Sequence, residues 1–140
     1  MSRVFWDTNL FIYLIEDVGE VSERVVALRR RMLARGDELF TSALTLGEVL
    51  VKPVEAKRDD LVHQYEDLLT RAVTIVPFDI EAARRYAAIR VDRTVRAPDA
   101  MQLACAARVN TDLFITNDGR LSAKIVPGIQ FITSLARAFV

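Results

Sequence analysis

Two rhythms of apolar positions alternate along this chain. Short, largely apolar or β-branched runs at 4–6, 38–41, 73–77, 113–116 and 129–132 read as strands. Between them, apolar residues return every third or fourth position, as one face of a helix requires. Such a pattern predicts a short helix over 9–15. A second spans 19–35, with Val21, Val25, Leu28 and Met32 on one side and Gly36 as its stop. A third runs over 44–52 and is stopped by Pro53; a fourth covers 59–71, with Leu61, Tyr65, Leu68 and Leu69 on its inner face. The spacing predicts a fifth over 79–93 with Ile80, Ala83, Ala87 and Val91 turned inward. Pro98 opens a sixth at a first-turn position, where a missing N–H costs nothing, and it continues through Leu103 and Ala107. Strands alternating with helices imply an α/β sandwich around a mostly parallel sheet. Ligands of such sheets sit outside the carboxyl ends of the strands, where Asp7 and Asp118 fall.

A length of 140 residues suits a single domain, 1–140, with a real core, and no repeat or linker divides it. The hydrophobic share of 51% and charged share of 27% are those of ordinary soluble proteins. Formal net charge is zero, so no global field draws in nucleic acid, although the cations are skewed toward Arg, the better partner for phosphate and carboxylate. A lone cysteine, Cys105, excludes an internal disulfide and a multi-cysteine zinc site, and it fits a reducing cytoplasm. The first residues lack a signal-peptide pattern, and no apolar run reaches membrane-spanning length. The expected setting is cytoplasmic, with no membrane partner.

What changes the picture is where the acids fall. Asp7 closes the run Val4-Phe5-Trp6, Glu48 sits inside the greasy stretch 43–51, Asp99 opens a mostly apolar helix, and Asp118 follows Leu113-Phe114-Ile115. Carboxylates in apolar surroundings are uncommon unless paired with cations or bound to metal. Neither Lys nor Arg stands immediately next to Asp7, Glu48 or Asp118, though Arg96 and Arg120 are near in sequence. Taken singly, Asp7 also suits an Asx-turn or helix cap, Asp99 complements a helix dipole, and Asp118-Gly119 makes a common turn. Glu48 is harder to explain that way. Among Leu44, Leu46, Val49, Leu50 and Val51 a solvated face is not expected, and a pair with Lys52 would contribute only about 0.3–0.5 kcal/mol.

If the fold gathers these acids, electrostatics says what they need. Two carboxylates about 5–6 Å apart repel by roughly 3 kcal/mol at an effective dielectric of 20. Six such pairs would cost on the order of 15–20 kcal/mol, more than a small domain's whole stability. Protons or divalent cations must then intervene, and an all-oxygen set favours Mg2+ or Mn2+. One or two such ions would activate water and orient a phosphodiester.

Other chemistries find little material. His63, the lone histidine, lies on a polar helix with Asp59, Asp60, Glu66 and Asp67 and reads as a surface residue. Cys105 reads as core filling, and neither a Walker loop nor a dinucleotide fingerprint occurs. Thr8, Asn9, Thr116 and Asn117 stand beside the acids, suited to hydrogen-bonding a carboxylate or substrate, or equally to capping and turns. Arg93 and Arg96 precede Asp99, as substrate contacts or as solvated surface.

The runs Val4-Phe5-Trp6-Asp7-Thr8-Asn9, Thr41-Ser42-Ala43-Leu44-Thr45-Leu46-Gly47-Glu48, Pro98-Asp99-Ala100-Met101-Gln102-Leu103-Ala104 and Phe114-Ile115-Thr116-Asn117-Asp118, in this order, resemble the PIN-domain family. Length and motif order look most like the VapC-type toxins of toxin–antitoxin modules, over residues 3–133. That resemblance implies a three-layer α/β/α sandwich with a Mg2+- or Mn2+-dependent endoribonuclease site. Its acidic positions map onto Asp7, Glu48, Asp99 and Asp118, with Asn117 the alternative at the last. It also implies an RNA substrate (tRNA, rRNA or mRNA), a homodimer, and a cognate antitoxin whose C-terminal segment covers the site. Two competing readings remain. One is a PIN-like module that binds RNA or protein without cutting. The other is an aspartate-nucleophile phosphatase, which would want an Asp where Asn9 stands.

Overall fold

The computed structural model describes residues 1–138. Its elements follow in the order β1 (Arg3–Trp6), α1 (Thr8–Ile15), α2 (Glu20–Arg35), β2 (Glu38–Ser42), α3 (Ala43–Glu55), α4 (Asp59–Arg71), β3 (Thr74–Val76), α5 (Ile80–Ile89), α6 (Ala97–Arg108), β4 (Thr111–Thr116) and β5 (Ile129–Ser134). The five strands form one sheet in the order β3-β2-β1-β4-β5. Every pairing is parallel, and β1 takes the centre by pairing Phe5 with Phe40 on one side and Phe114 on the other. The α/β expectation is met, with the sheet fully parallel.

A central parallel strand is buried on both faces, which is why β1 and β4 are apolar without alternation. Successive side chains still point to opposite sides. Val4, Trp6 and Ile115 join Leu10, Phe11, Val25, Leu28, Met32, Tyr65 and Leu69 in one core beneath α1, α2 and α4. Phe5 and Phe114 turn the other way, stacking at 5.2 Å, and join Ala82, Leu103, Cys105, Ala106 and Val126 beneath α5 and α6. The sheet is therefore the middle of three layers. Cys105 is core filling and His63 is exposed, as their surroundings in sequence suggest.

Two helix expectations are corrected. Pro53 does not stop α3, which runs on to Glu55 with the proline buried in its last turn. There its missing N–H forfeits one late hydrogen bond while its ring packs inside, so continuation is tolerated. On α5 the inward stripe is Ala82, Tyr86 and Ile89, not Ile80, Ala83, Ala87 and Val91. Ile80 and Val91 are 73% and 80% exposed. Both stripes have helical spacing, one residue apart. The bulk of Tyr86, packed edge-on against Phe78 at 5.8 Å, accompanies the inward turn of its own stripe, where alanines alone give no preference. The helix also ends at Ile89, short of the predicted Arg93.

Strand order fixes where the molecule can bind something. From β1 the chain winds outward through β2 to β3, then returns to place β4 and β5 on the other side of β1. The direction of winding reverses at the β1–β4 seam. Such a reversal opens a crevice at the carboxyl ends of the two strands.

Candidate metal centre at the β1–β4 crevice

Asp7 leaves β1 and caps α1. Its side chain accepts the Thr8 amide at 2.8 Å, and its own amide donates to the Ile115 carbonyl across the seam at 3.0 Å. Thr116, at the end of β4, donates its hydroxyl to Asp7 Oδ2 at 2.9 Å and accepts the Asp118 amide at 3.0 Å. One threonine thus ties both strand ends together. Burial pushes the Asp7 carboxyl above its ordinary value, and the nearby Asp99 and Glu48 charges push the same way. The Thr8 and Thr116 hydrogen bonds only partly offset this.

Asp99 enters from the first turn of α6, after Pro98, and its side chain is 17% exposed. Asp118 lies just past β4 in a tight turn, accepting the Arg120 amide at 3.0 Å. Glu48 comes from α3, and here the sequence expectation fails: the residue is exposed, not buried among its apolar neighbours. The side chains Thr45 and Val49 take the inward positions of α3, leaving Glu48 on the rim. It forms no ion pair with Lys52 among the described residues; instead it accepts the Thr8 hydroxyl at 2.6 Å.

A buried polar network holds that threonine. Gln102 Nε2 donates to Thr8 Oγ1 at 3.0 Å and to Thr45 Oγ1 at 2.8 Å, while its Oε1 accepts from Ser42. The Thr41 and Thr45 hydroxyls lie 2.8 Å apart, and Thr41 reaches the Trp6 carbonyl at 2.9 Å. Each hydroxyl has one proton, which fixes the directions. Thr41 donates to Trp6, Thr45 to Thr41, and Thr8 to Glu48, with Gln102 supplying both remaining protons. Gln102 and Thr45 were not among the residues singled out from sequence. Their signal was present: Gln102 is the one polar residue in 100–107 of an otherwise apolar helix, a position that requires a partner.

Asp7, Glu48, Asp99 and Asp118 line one cleft of about 480 Å3 together with Thr8, Asn9, Lys52, Arg96 and Gln102. Thr116 stands behind Asp7. Asn117 turns aside to donate to the Tyr13 hydroxyl at 2.9 Å and faces a separate hollow beside the start of α2. Arg93 is exposed and does not line the cleft.

The donor set, all carboxylate and hydroxyl oxygen, has the chemistry of a hard divalent cation site. The spacing differs from that of a closed cage. Among the described residues no three acids stand within reach of one shared ion. Two of the four are also charge-compensated, and for Asp118 this corrects the expectation that no cation stands beside it. Arg96 Nε lies 3.6 Å from Asp99, and Arg120 clasps Asp118 at 2.9 and 3.1 Å. The mutual repulsion expected for a tight tetrad is correspondingly relieved. Arg120 holds the Asp118 carboxyl below its ordinary value.

The family model for the PIN domain matches residues 4–125. The chain belongs to the PIN domain family. Its fold is shared with solved toxin–antitoxin structures. A chain of VapBC2 from Rickettsia felis, solved bound to a promoter DNA fragment, superimposes with a TM-score of 0.73 at 15% identity, covering 94% of this chain and 97% of that one. FitAcB from Neisseria gonorrhoeae gives 0.71 at 22% identity, with 96% and 99% covered. A toxin–antitoxin complex from Klebsiella pneumoniae gives 0.65 at 25% identity, with 90% and 94% covered. No curated protein matches the sequence. This PIN domain thus carries the architecture of the VapC-type proteins, and among its described residues no helix is long and apolar enough to cross a membrane.

Proposed function

We propose that this PIN domain is a metal-dependent endoribonuclease, the toxin of a toxin–antitoxin pair, acting in the cytoplasm as one domain on tRNA, rRNA or mRNA. PIN domains are generally nucleases, and the solved neighbours come from toxin–antitoxin complexes. The observation that carries the reading is the cleft itself: four carboxylates from four segments line one crevice at the sheet's reversal point.

Asp7, Asp99, Glu48 and Asp118 would supply carboxylate oxygens to Mg2+ or Mn2+, as they stand at most two of them to any one ion. When bound, such a cation stabilises charge developing on a phosphodiester and acidifies water. The chain's own residues do the rest. Thr116 and the Thr8 amide fix the Asp7 carboxylate; Gln102, itself held by Ser42 and Thr45, fixes Thr8, which fixes Glu48. Lys52 and Arg96, at the rim, supply positive charge toward a nucleic-acid backbone that the zero net charge does not provide. Asn9 faces the same cleft as a neutral hydrogen-bonding group. An antitoxin segment and a second copy of the chain are the expected protein partners.

The test is cleavage of single-stranded RNA with Mg2+ or Mn2+. Asp7→Ala and Asp99→Ala each abolish it while keeping the circular dichroism of the parent, and EDTA abolishes it in the parent. Cleavage that survives in EDTA, or in either variant, overturns the proposal. A second reading, an RNA- or protein-binding PIN module that does not cut, is favoured by the arginine pairing of Asp99 and Asp118. It predicts no rise in melting temperature on adding Mn2+, whereas the nuclease reading predicts one.

A further inference from the structure

The acids of the cleft and its arginines stand in a relation that a metal site alone does not explain. Arg96 and Arg120 are themselves 70% and 77% exposed, yet each reaches down to a carboxylate far less exposed than itself, Asp99 at 17% and Asp118 at 25%. The two pairs are not separate. Arg96 lines the cleft with both acids, and Arg120 stands at its edge through Asp118. Lys52 lines the same cleft but, among the described residues, lies within ion-pairing distance of no carboxylate.

We propose that Arg96 and Arg120 are exchange groups of this PIN domain: each neutralises its acid while the cleft is free of metal, and each is released to the RNA backbone when a divalent cation takes that acid. This rests on the nuclease reading above. The physical case is competition: a guanidinium paired with a carboxylate occupies lone pairs and offsets charge that an ion would otherwise use, most fully where the pair is bidentate. Arg120 occupies both Asp118 oxygens, at 3.1 Å through Nε and 2.9 Å through Nη2. A metal chelated by both oxygens displaces it. Displacement is easy, because exposed ion pairs are weak. The released guanidinium keeps its charge at any working pH and presents a fork that matches phosphate geometry. Metal occupancy thereby creates two phosphate contacts at the site's own edge, so RNA is held firmly only where the metal already sits.

Mn2+ binding by isothermal titration at about 0.15 M salt, where charges beyond roughly 8 Å are screened, tests the first half on the full chain. Arg120→Ala and Arg96→Ala are each expected to tighten Mn2+ binding by about 1.5- to 5-fold, the range set by exposed pairs. Lys52→Ala, which removes a cleft charge but no clasp, is expected to change it less than either. Equal gains in all three variants, or none in the arginine variants, overturn the exchange. The second half is read by fluorescence anisotropy with a 2′-O-methyl oligonucleotide, which cannot be cut. The arginine variants should lose affinity several-fold in Mn2+ and match the parent in EDTA; an equal loss in both conditions overturns the proposal. If no variant, parent included, binds Mn2+, the nuclease reading itself falls and the exchange with it.

Discussion

Thr116 donates its hydroxyl to Asp7 across the β1–β4 seam at 2.9 Å, making the end of one strand the support for the acid at the end of the other. Replacing it with the near-isosteric valine removes the donor and leaves the packing. Thr116→Val should cost about 1 kcal/mol of stability, since Asp7 keeps the Thr8 amide. Its effect on RNA cleavage should be larger, roughly ten- to a hundredfold, as for groups that orient a metal ligand. Paired measurement of melting temperature and cleavage rate checks this; a loss of activity no larger than the loss of stability explains would reject the orienting role.

The Asp7 carboxyl is pushed upward by burial and by the Asp99 and Glu48 charges. In the folded chain it holds its proton to higher pH than in the unfolded chain, whose ordinary value is 3.8. The metal-free protein therefore loses stability as pH rises through that interval and carries the whole penalty at neutral pH. Asp7→Asn, which caps a helix equally well, should raise the metal-free melting temperature by a few degrees at pH 7 and make no difference near pH 3. Thermal scans in EDTA at the two pH values decide it.

Asp37 behaves in the opposite sense. Its side chain is 2% exposed; burial alone would raise its pKa, but Arg35 at 2.7 Å and the Ser2 amide at 2.9 Å more than reverse that and hold it low. Its contribution is present above the ordinary carboxylate value and fades as pH falls through the depressed one. Asp37→Ala should cost about 2 kcal/mol at pH 7, and the gap to the parent should close as the pH drops below 3.8. Urea unfolding at a series of pH values is the measurement.

Gln102 is 2% exposed and serves Ser42, Thr45 and Thr8 at once. Gln102→Leu keeps the volume and strands several buried hydroxyls, so it should cost about 2–4 kcal/mol in urea unfolding. A cost below about 1 kcal/mol would mean that water replaces the lost partners.

Burial pushes the Cys105 thiol up to about 11, with the Asp79 charge adding to it. Thiolate is scarce at pH 8 in the folded chain. Labelling by a thiol reagent should be slow in the native protein and rapid in urea; fast native labelling would show that the α6 core opens readily.

Much of the molecule was legible before folding. The strands announce themselves because a parallel sheet buried on both faces needs unbroken apolar runs, as in Val4-Phe5-Trp6 and Leu113-Phe114-Ile115. The inner stripe of α2 was readable because Val25, Leu28 and Met32 differ sharply from the charged residues between them. On α5 the contrast is poor, and the stripe was read one residue out of place. Glu48 shows the limit more clearly: a greasy neighbourhood in sequence does not bury a side chain when the inward direction falls to Thr45 and Val49.

The sequence by itself determined the alternation of strand and helix, the two acids at strand ends and the all-oxygen character of the candidate site, because each depends on residues adjacent in the chain. Only the tertiary structure decided that the sheet reverses at the β1–β4 seam, that Thr116 supports Asp7, that Gln102 joins three segments, that Arg120 clasps Asp118 and that Arg96 pairs with Asp99. Strand order and side-chain direction are properties of packing between segments far apart in the chain. A one-residue turn of a helix, invisible to composition, decides whether a charge faces the core, a partner or water.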